Sequence, residues 1–67
     1  MRAIKGNKIR EAREKKGLTL VKVAELVGIT APYLSDIERG NRRGTYATIK
    51  KIADALGLPV DEIWEVA

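Results

Sequence analysis

The stretch that decides the fold runs from Thr19 to Gly40 and reads TLVKVAELVGITAPYLSDIERG. Apolar residues recur at helical spacing on either side of a short Gly28-Ile29-Thr30 break, which predicts two helices joined by a tight turn. Thr19 and Thr30 are predicted N-caps, because a threonine hydroxyl can accept a hydrogen bond from a backbone N–H of the first helical turn. Gly28 is predicted to end the first helix, since glycine readily takes the left-handed conformation of a helix C-terminus.

The apolar residues of this stretch are predicted to hold its two helices at a steep angle. Val23, Leu34 and Ile37 supply the apolar faces that meet. Ala24 is small where the helices cross, and Ile29 closes the turn from beneath. A helix held in this way can project into the major groove of DNA, which is wide enough to admit it. Because an ordinary helical hairpin uses the same turn chemistry, the spacing alone leaves both interpretations open.

The flanking sequence predicts further helices within a single domain covering residues 1–67. One helix is expected from an N-cap at Asn7 to Lys16, and another from an N-cap at Thr45 to Leu56, where apolar residues recur at i, i+3, i+4 and i+7. A fifth turn or short helix is expected near residues 60–65.

The two ends of the chain are less helical in pattern. Residues 2–5 and 63–66 both alternate roughly between polar and apolar side chains. They could pair as two short strands that bring the termini together, although a two-stranded ribbon is marginal without packing. The alternative is a frayed N-terminus and a helical C-terminus, and the sequence leaves the two open.

Length and composition limit the classes of function. With 67 residues the chain suffices for one small domain, and its 45% hydrophobic residues argue against a disordered tail. The sequence has no cysteine or histidine, which excludes disulfides, thiolate metal sites and a histidine proton shuttle. We therefore expect neither an enzyme nor a cofactor or metal. No apolar run approaches the roughly 20 residues of a membrane span, and no signal peptide is evident, so the expected compartment is the cytoplasm.

Four segments of the chain together resemble the Cro/cI-type (XRE-like) helix-turn-helix family. They are GLT at 17–19, VAELVGIT at 23–30, YLSDIERG at 33–40 and IKKIADALG at 49–57, and the likeness extends over about residues 8–64. The resemblance implies an all-α domain of five helices, with the helix-turn-helix at helices 2 and 3 and with helix 3 as the recognition helix. It further implies sequence-specific binding of double-stranded DNA, as a homodimer on a palindromic operator, and regulation of transcription, most simply as a repressor. It also implies a structural ion pair between Arg13 on helix 1 and Glu38 at the end of helix 3.

Two positions depart from the pattern of that family. Leu20 stands where the family often carries a phosphate-binding glutamine, and leucine cannot make that hydrogen bond. Phosphate contact there is expected instead from backbone N–H groups at the helix start beside Thr19, aided by Lys22. Gly44 stands where a proline is common, so a looser loop is expected over residues 42–44.

The exposed N-terminal side of helix 3 supplies the predicted base contacts. Ala31 and Pro32 can offer only apolar contact, for instance to a thymine methyl group, whereas Ser35 can donate or accept a hydrogen bond. Asp36 can accept from a cytosine amino group but repels phosphate. Tyr33 could reach a phosphate or pack on helix 2, and the sequence leaves these two roles open.

The net charge of +4 is unevenly distributed along the chain. Residues 30–40 carry two acidic side chains against one basic, whereas residues 1–17 carry seven basic against two acidic. Because phosphate contacts position a protein on DNA, we expect them from the polar and basic residues that directly follow helix 3. These predicted phosphate contacts are Arg39, Asn41, Arg42 and Arg43. Lys8 and Arg10 could add to them, although a charge-rich first helix is often only a solvated face.

An apolar C-terminal segment predicts a dimer interface, because exposed apolar patches tend to mark contacts between proteins. The predicted interface residues are Leu58, Val60, Ile63 and Trp64, with Val66 beside them. These side chains could also simply close the core beneath helix 1. A dimer would place its two recognition helices about 34 Å apart, one turn of DNA.

Within the DNA-binding class, the sequence does not separate a phage repressor, a restriction–modification controller and an antitoxin that represses its own operon. The runner-up function is a protein-interaction module that keeps the fold with weak or no DNA binding. The net negative charge of helix 3 and the leucine at position 20 favour that alternative.

Overall fold

The protein forms four α-helices and a pair of short strands in a computed structural model that describes the backbone of residues 2–66 and the side chains of residues 5–64. In chain order the elements are β1 (Arg2–Ile4), α1 (Gly6–Lys15), α2 (Leu20–Val27), α3 (Ala31–Glu38), α4 (Tyr46–Leu56), a single 3-10 turn (Val60–Glu62) and β2 (Trp64–Val66). The helices confirm the predicted all-α framework, and the predicted helix-turn-helix is formed by α2 and α3.

Three threonines cap the helices to which the sequence pattern assigned them. The hydroxyl of Thr19 accepts a hydrogen bond from the Lys22 N–H at 3.1 Å, and the hydroxyl of Thr30 accepts one from the Tyr33 N–H at 3.3 Å. The hydroxyl of Thr45 accepts one from a first-turn N–H of α4 at 3.2 Å. Each bond satisfies a backbone donor that the start of a helix would otherwise leave without an intrahelical acceptor.

The start of α1 differs from the predicted N-cap at Asn7. The helix begins at Gly6, and the side chain of the preceding Lys5 does not cap it. The backbone of Gly6 passes so close to the end of α3 that a Cβ atom there would lie 2.6 Å from the Glu38 carbonyl oxygen, and closer still to that of Ile37. A tertiary contact with α3 therefore sets the path of the chain at this point and overrides the local preference of asparagine for an N-cap.

The C-terminal segment forms the short turn that the sequence pattern allowed and not the fifth helix that the family resemblance implied. Residues Val60–Glu62 form one 3-10 turn, after which the Ile63 N–H donates to the Val60 carbonyl at 3.0 Å and the chain enters β2. β2 pairs antiparallel with β1, the arrangement that the sequence left open. Because β2 draws residues 64–66 into this ribbon, the segment that remains is too short for an α-helix. The opposed residues are Arg2 and Val66, Ala3 and Glu65, and Ile4 and Trp64.

The core lies between the helices, where α1 and α2 each pack against α3 and α4. Every helix contributes to it, and the predicted apolar stripe of α4 is buried along its length. The buried apolar residues are Ile9, Val23, Ala24, Val27, Leu34, Ile37, Ile49, Ile52, Ala53, Leu56 and Ile63. None of the helices in the described part of the chain is both long and apolar enough to cross a membrane.

Candidate nucleic-acid interface

A short turn after α2 fixes the direction in which α3 leaves it. Gly28 takes the left-handed conformation with a φ of 83°, which residues with a side chain rarely adopt. The N–H groups of Gly28 and Ile29 both donate to the Ala24 carbonyl, at 2.8 and 3.0 Å. Leu34 and Ile37 are then completely buried on the inner face of α3. One face of α3 is therefore locked into the core while the other faces outward.

A buried ion pair ties the end of α3 to α1. The Arg13 guanidinium donates to both carboxylate oxygens of Glu38, from Nε at 2.8 Å and from Nη2 at 3.2 Å, and its Nη1 donates to the Leu18 carbonyl at 2.9 Å. The two side chains are only 11% and 4% exposed. The hydrogen bonds to Glu38 raise the pKa of Arg13 and outweigh the opposing effect of burial. The pair that the family resemblance implied is thus formed, and one edge of the planar guanidinium binds both carboxylate oxygens.

The five residues predicted to touch bases lie outside the core. Pro32 is exposed, and the other four are half-buried, with Ala31 and Tyr33 packed against the edge of the core. Between them in sequence, Leu34 points the opposite way into the core. The half-buried residues are Ala31, Tyr33, Ser35 and Asp36. The N-terminal half of α3 is consequently open to a ligand along one face.

Tyr33 packs partly against the core and toward the loop that follows α3. The Arg42 guanidinium lies over its ring, with Cζ 5.7 Å from the ring centroid, a cation–π arrangement. A Cβ atom at Gly44 would lie 3.4 Å from the Tyr33 hydroxyl, so the tyrosine reaches the far end of that loop. Tyr33 therefore packs against the core and also contacts the loop that carries the arginines.

Four of the residues predicted to touch phosphate are exposed in the segment that follows α3: Arg39, Asn41, Arg42 and Arg43. Asp36 organises this segment, because its backbone carbonyl accepts from the N–H groups of Asn41 and Arg42 at 2.8 and 3.3 Å. Its carboxylate faces two of the arginines, with Oδ1 3.0 Å from Arg39 Nη2 and Oδ2 3.7 Å from Arg42 Nε. The sequence pattern did not predict this cluster, although the i, i+3 spacing of Asp36 and Arg39 was a signal for half of it.

Gly44 lies at the end of the loop that carries Arg42 and Arg43, and its backbone conformation explains why a glycine stands there. Its φ is +70°, a value that proline, with its fixed negative φ, cannot take. A Cβ atom there would lie 3.2 Å from Ile37 Cδ1 and 3.5 Å from Ile49 Cδ1. The glycine is therefore packed between α3 and α4, and the loop takes a path different from the one that a proline would impose.

The start of α2 lies beside this surface in sequence and carries the other predicted phosphate contacts. Thr19 and Lys22 are exposed, whereas Leu20 is half-buried and packs against the core. Leu20 is thus a structural replacement for the family's glutamine. In the first turn of α2 the Lys22 N–H donates to Thr19, and the two N–H groups before it have no acceptor within the helix and can donate to an anion.

The weaker phosphate candidates on α1 are engaged within that helix. Lys8 Nζ lies 3.9 Å from a Glu11 carboxylate oxygen, and Arg10 Nε lies 3.3 Å from one of Glu14. These exposed i, i+3 and i, i+4 pairs are typical of a solvated helix face. They favour that interpretation of α1 over a phosphate-binding one.

The predicted dimer surface needs one correction. Ile63 is completely buried in the core and cannot contact a second copy, because its side chain fills the space beneath the helices. Leu58, Val60 and Trp64 are half-buried and remain at the surface, while the side chain of Val66 lies outside the described residues. The Trp64 ring meets that of Tyr46 edge to face, with centroids 5.3 Å apart and an interplanar angle of 82°.

The chain is similar in sequence to a known protein family and to a curated transcriptional regulator. Residues 9–63 match the model of the helix-turn-helix family. The chain is 36% identical over 58 residues to the HTH-type transcriptional regulator DdrOP3 of Deinococcus deserti, an alignment that covers 87% of this chain and 45% of that protein. The chain therefore spans less than half the length of this relative.

Two solved structures are similar in both fold and sequence. The restriction-modification controller protein C.AhdI from Aeromonas hydrophila has a TM-score of 0.81 and 37% identity, over 85% of this chain and 86% of that one. The biofilm regulator SinR of Bacillus subtilis, solved in complex with DNA, has a TM-score of 0.75 and 32% identity, over 82% of this chain and 89% of that one.

In the described residues, no group of histidine, cysteine or acidic side chains could hold a metal ion.

Proposed function

The chain belongs to the helix-turn-helix family, and we propose that it binds double-stranded DNA in a sequence-specific manner and regulates transcription. One observation carries the proposal: α3 is locked on its inner face by Leu34 and Ile37, and at its end by Glu38, while its outer face is open. A rigid helix with one free face and exposed arginines at its C-terminal end suits insertion into a major groove. SinR, which shares this fold, was solved in complex with DNA, and that complex supports the same ligand here.

Base contacts are assigned to the outer face of α3. In this proposal, Ala31 and Pro32 contact thymine methyl groups, Ser35 donates or accepts at a base edge, and Asp36 accepts from a cytosine amino group. Tyr33 lies at the boundary between base and backbone contacts because it supports the loop that carries Arg42.

Phosphate contacts are assigned to two segments that flank the groove-binding face. Arg39, Asn41, Arg42 and Arg43 would bind one strand from the C-terminal side of α3, where all four are exposed. At the start of α2, Thr19 and Lys22 would bind the backbone together with the free N–H groups of the helix. These contacts fix the register of α3 without reading sequence.

We also propose that the protein acts as a homodimer and a repressor, with its single domain over residues 1–67 acting on DNA in the cytoplasm. Leu58, Val60 and Trp64 are the half-buried apolar residues available for a two-fold interface. A two-fold axis through them would present two copies of α3 to half-sites about 34 Å apart. A palindromic operator follows from that symmetry.

The alternative, a protein-interaction module with weak or no DNA binding, is favoured by the leucine at position 20 and by the negative charge of helix 3. Of its two acidic side chains, Glu38 is buried against Arg13 and does not face a ligand. Asp36 faces Arg39 and Arg42, so the surrounding surface is not net negative. The charge of helix 3, one of these two reasons, therefore supports the alternative less than the sequence suggested.

Selection of bound sites from a pool of random duplexes tests the proposal. The expected result is a two-fold symmetric consensus, with an affinity for that consensus that falls steeply as salt rises. A consensus without symmetry would contradict the dimer alone. Failure to enrich any sequence, together with no binding to duplex DNA at low salt, would contradict the proposed function itself.

A further inference from the structure

One carboxylate stands between the two arginines nearest to the outer face of α3. Asp36 Oδ1 lies 3.0 Å from Arg39 Nη2, and Asp36 Oδ2 lies 3.7 Å from Arg42 Nε. Each oxygen thus faces a different guanidinium. The side chain of Asp36 is 33% exposed, against 64% and 65% for the arginines, so it is the least accessible of the three.

We infer that Asp36 is a specificity-determining residue that competes with DNA phosphate for Arg39 and Arg42. The inference rests on the proposed function, since it requires that α3 and the following loop meet DNA. A guanidinium binds a carboxylate and a phosphate through the same N–H groups, so a contact with Asp36 and a contact with phosphate draw on one set of donors.

The competition acts unequally on different DNA sequences. On non-operator DNA, phosphates must draw the arginines away from Asp36 and approach its negative charge. On an operator that offers a cytosine amino group, Asp36 accepts a hydrogen bond that compensates for the loss of its ion pairs with the arginines. A group that penalises the wrong partner raises specificity even when it lowers overall affinity.

The packing of Asp36 makes the competition a fixed feature of the fold. Its carbonyl accepts from the backbone N–H groups of Asn41 and Arg42, which ties the loop to the end of α3. The Arg42 guanidinium also lies over the ring of Tyr33. The arginines therefore rest beside Asp36 before any DNA is present.

The test compares Asp36→Asn with Asp54→Asn on a random-sequence duplex over a series of salt concentrations. Asp54 is a matched control, because it forms an exposed ion pair with Lys50 at 3.6 Å on α4 and its replacement makes the same change in net charge. We expect Asp36→Asn to bind about three- to tenfold more tightly than the control. Its salt dependence should also be steeper by about 1 to 2 in the log–log slope, because released arginines neutralise further phosphates.

A thermodynamic cycle assigns the effect to the arginines. In an Arg39→Gln/Arg42→Gln background, Asp36→Asn should raise the affinity for random duplex no more than Asp54→Asn does. On a selected operator, the ratio of specific to non-specific affinity should fall in Asp36→Asn. If thermal melting finds that variant unfolded, Asp36→Ala replaces it in the same comparison.

The outcomes distinguish a failure of the proposed function from a failure of the inference about Asp36. If the wild-type protein binds no duplex at low salt, the proposed function fails and the inference fails with it. If the wild type binds and Asp36→Asn behaves like Asp54→Asn, the inference alone is wrong. Weaker binding by Asp36→Asn would also overturn it, because Asp36 would then orient the arginines toward phosphate instead of withholding them.

Discussion

Arg13 on α1 and Glu38 at the end of α3 are joined by two hydrogen bonds across 25 positions of sequence. The pair lies inside the fold, and the third arm of the guanidinium is used by the Leu18 carbonyl. Removal of one partner leaves the other charge buried and uncompensated, which is far more costly than loss of an exposed pair. The ion pair therefore links the stability of the domain to the position of α3.

Glu38→Gln is expected to lower the free energy of unfolding by about 2–4 kcal/mol, measured by urea denaturation. The matched control is Glu14→Gln, which removes the exposed partner of Arg10 and should change stability by about 0.5 kcal/mol or less. Because folding raises the pKa of Arg13, its charge contributes fully to stability below the pKa of the unfolded chain. This contribution is lost only when the pH rises through the pKa of the folded protein, which is strongly alkaline. Equal effects of the two variants would mean that the buried pair contributes no more than a surface pair.

Gly6→Ala is expected to destabilise the protein by about 2 kcal/mol or more, because the new Cβ would lie 2.6 Å from the Glu38 carbonyl oxygen and α1 would have to move away from α3. Helix propensity alone predicts the opposite sign, since alanine is favoured over glycine within a helix by about 1 kcal/mol. Thermal unfolding decides between the two. Asn7→Ala, one position further along α1 and exposed, should be within about 0.5 kcal/mol of the wild type. A stabilised Gly6→Ala protein would rule out the close approach of α1 to α3.

The sequence predicted those parts of the fold that depend on neighbours in the chain. Thr19, Thr30 and Thr45 cap helices because an N-cap acts on N–H groups two or three residues away. The apolar spacing likewise identified the inner faces of α2, α3 and α4, since burial of one helix face follows its period.

The parts that escaped prediction depend on contacts between distant segments. The neighbours of Gly6 in sequence do not indicate that a glycine is needed there, because the need arises from the close approach of carbonyl groups of α3. Ile63 was assigned to a surface, since its burial depends on where the ribbon returns the chain. The side chain of Asp36 pairs with Arg42 across the bend after α3, a geometry that residue spacing alone does not encode.

Arg42→Ala/Arg43→Ala is expected to weaken binding to operator and random duplexes, because both residues are exposed in the loop and are assigned to phosphate. On an operator duplex the log–log salt slope should fall by about 2, as two fewer phosphates are neutralised. Lys15→Ala/Lys16→Ala, at the end of α1, makes the same change in net charge and should have a smaller effect on the slope. Fluorescence anisotropy with operator and random duplexes measures both quantities. An unchanged slope would remove the loop from the interface.

Pro32→Gln is expected to change which sequence is bound while leaving the fold intact. Pro32 is exposed in the first turn of α3, where its replacement disturbs no core contact. A glutamine there can bond to the N6 and N7 positions of adenine, so selection from random duplexes should enrich adenine at one position of each half-site. The preference should reach about tenfold, and Leu26→Gln, which places the same side chain at a 57% exposed position of α2, should leave the consensus unchanged. The same consensus from both variants and the wild type would mean that the N-terminal end of α3 does not read bases.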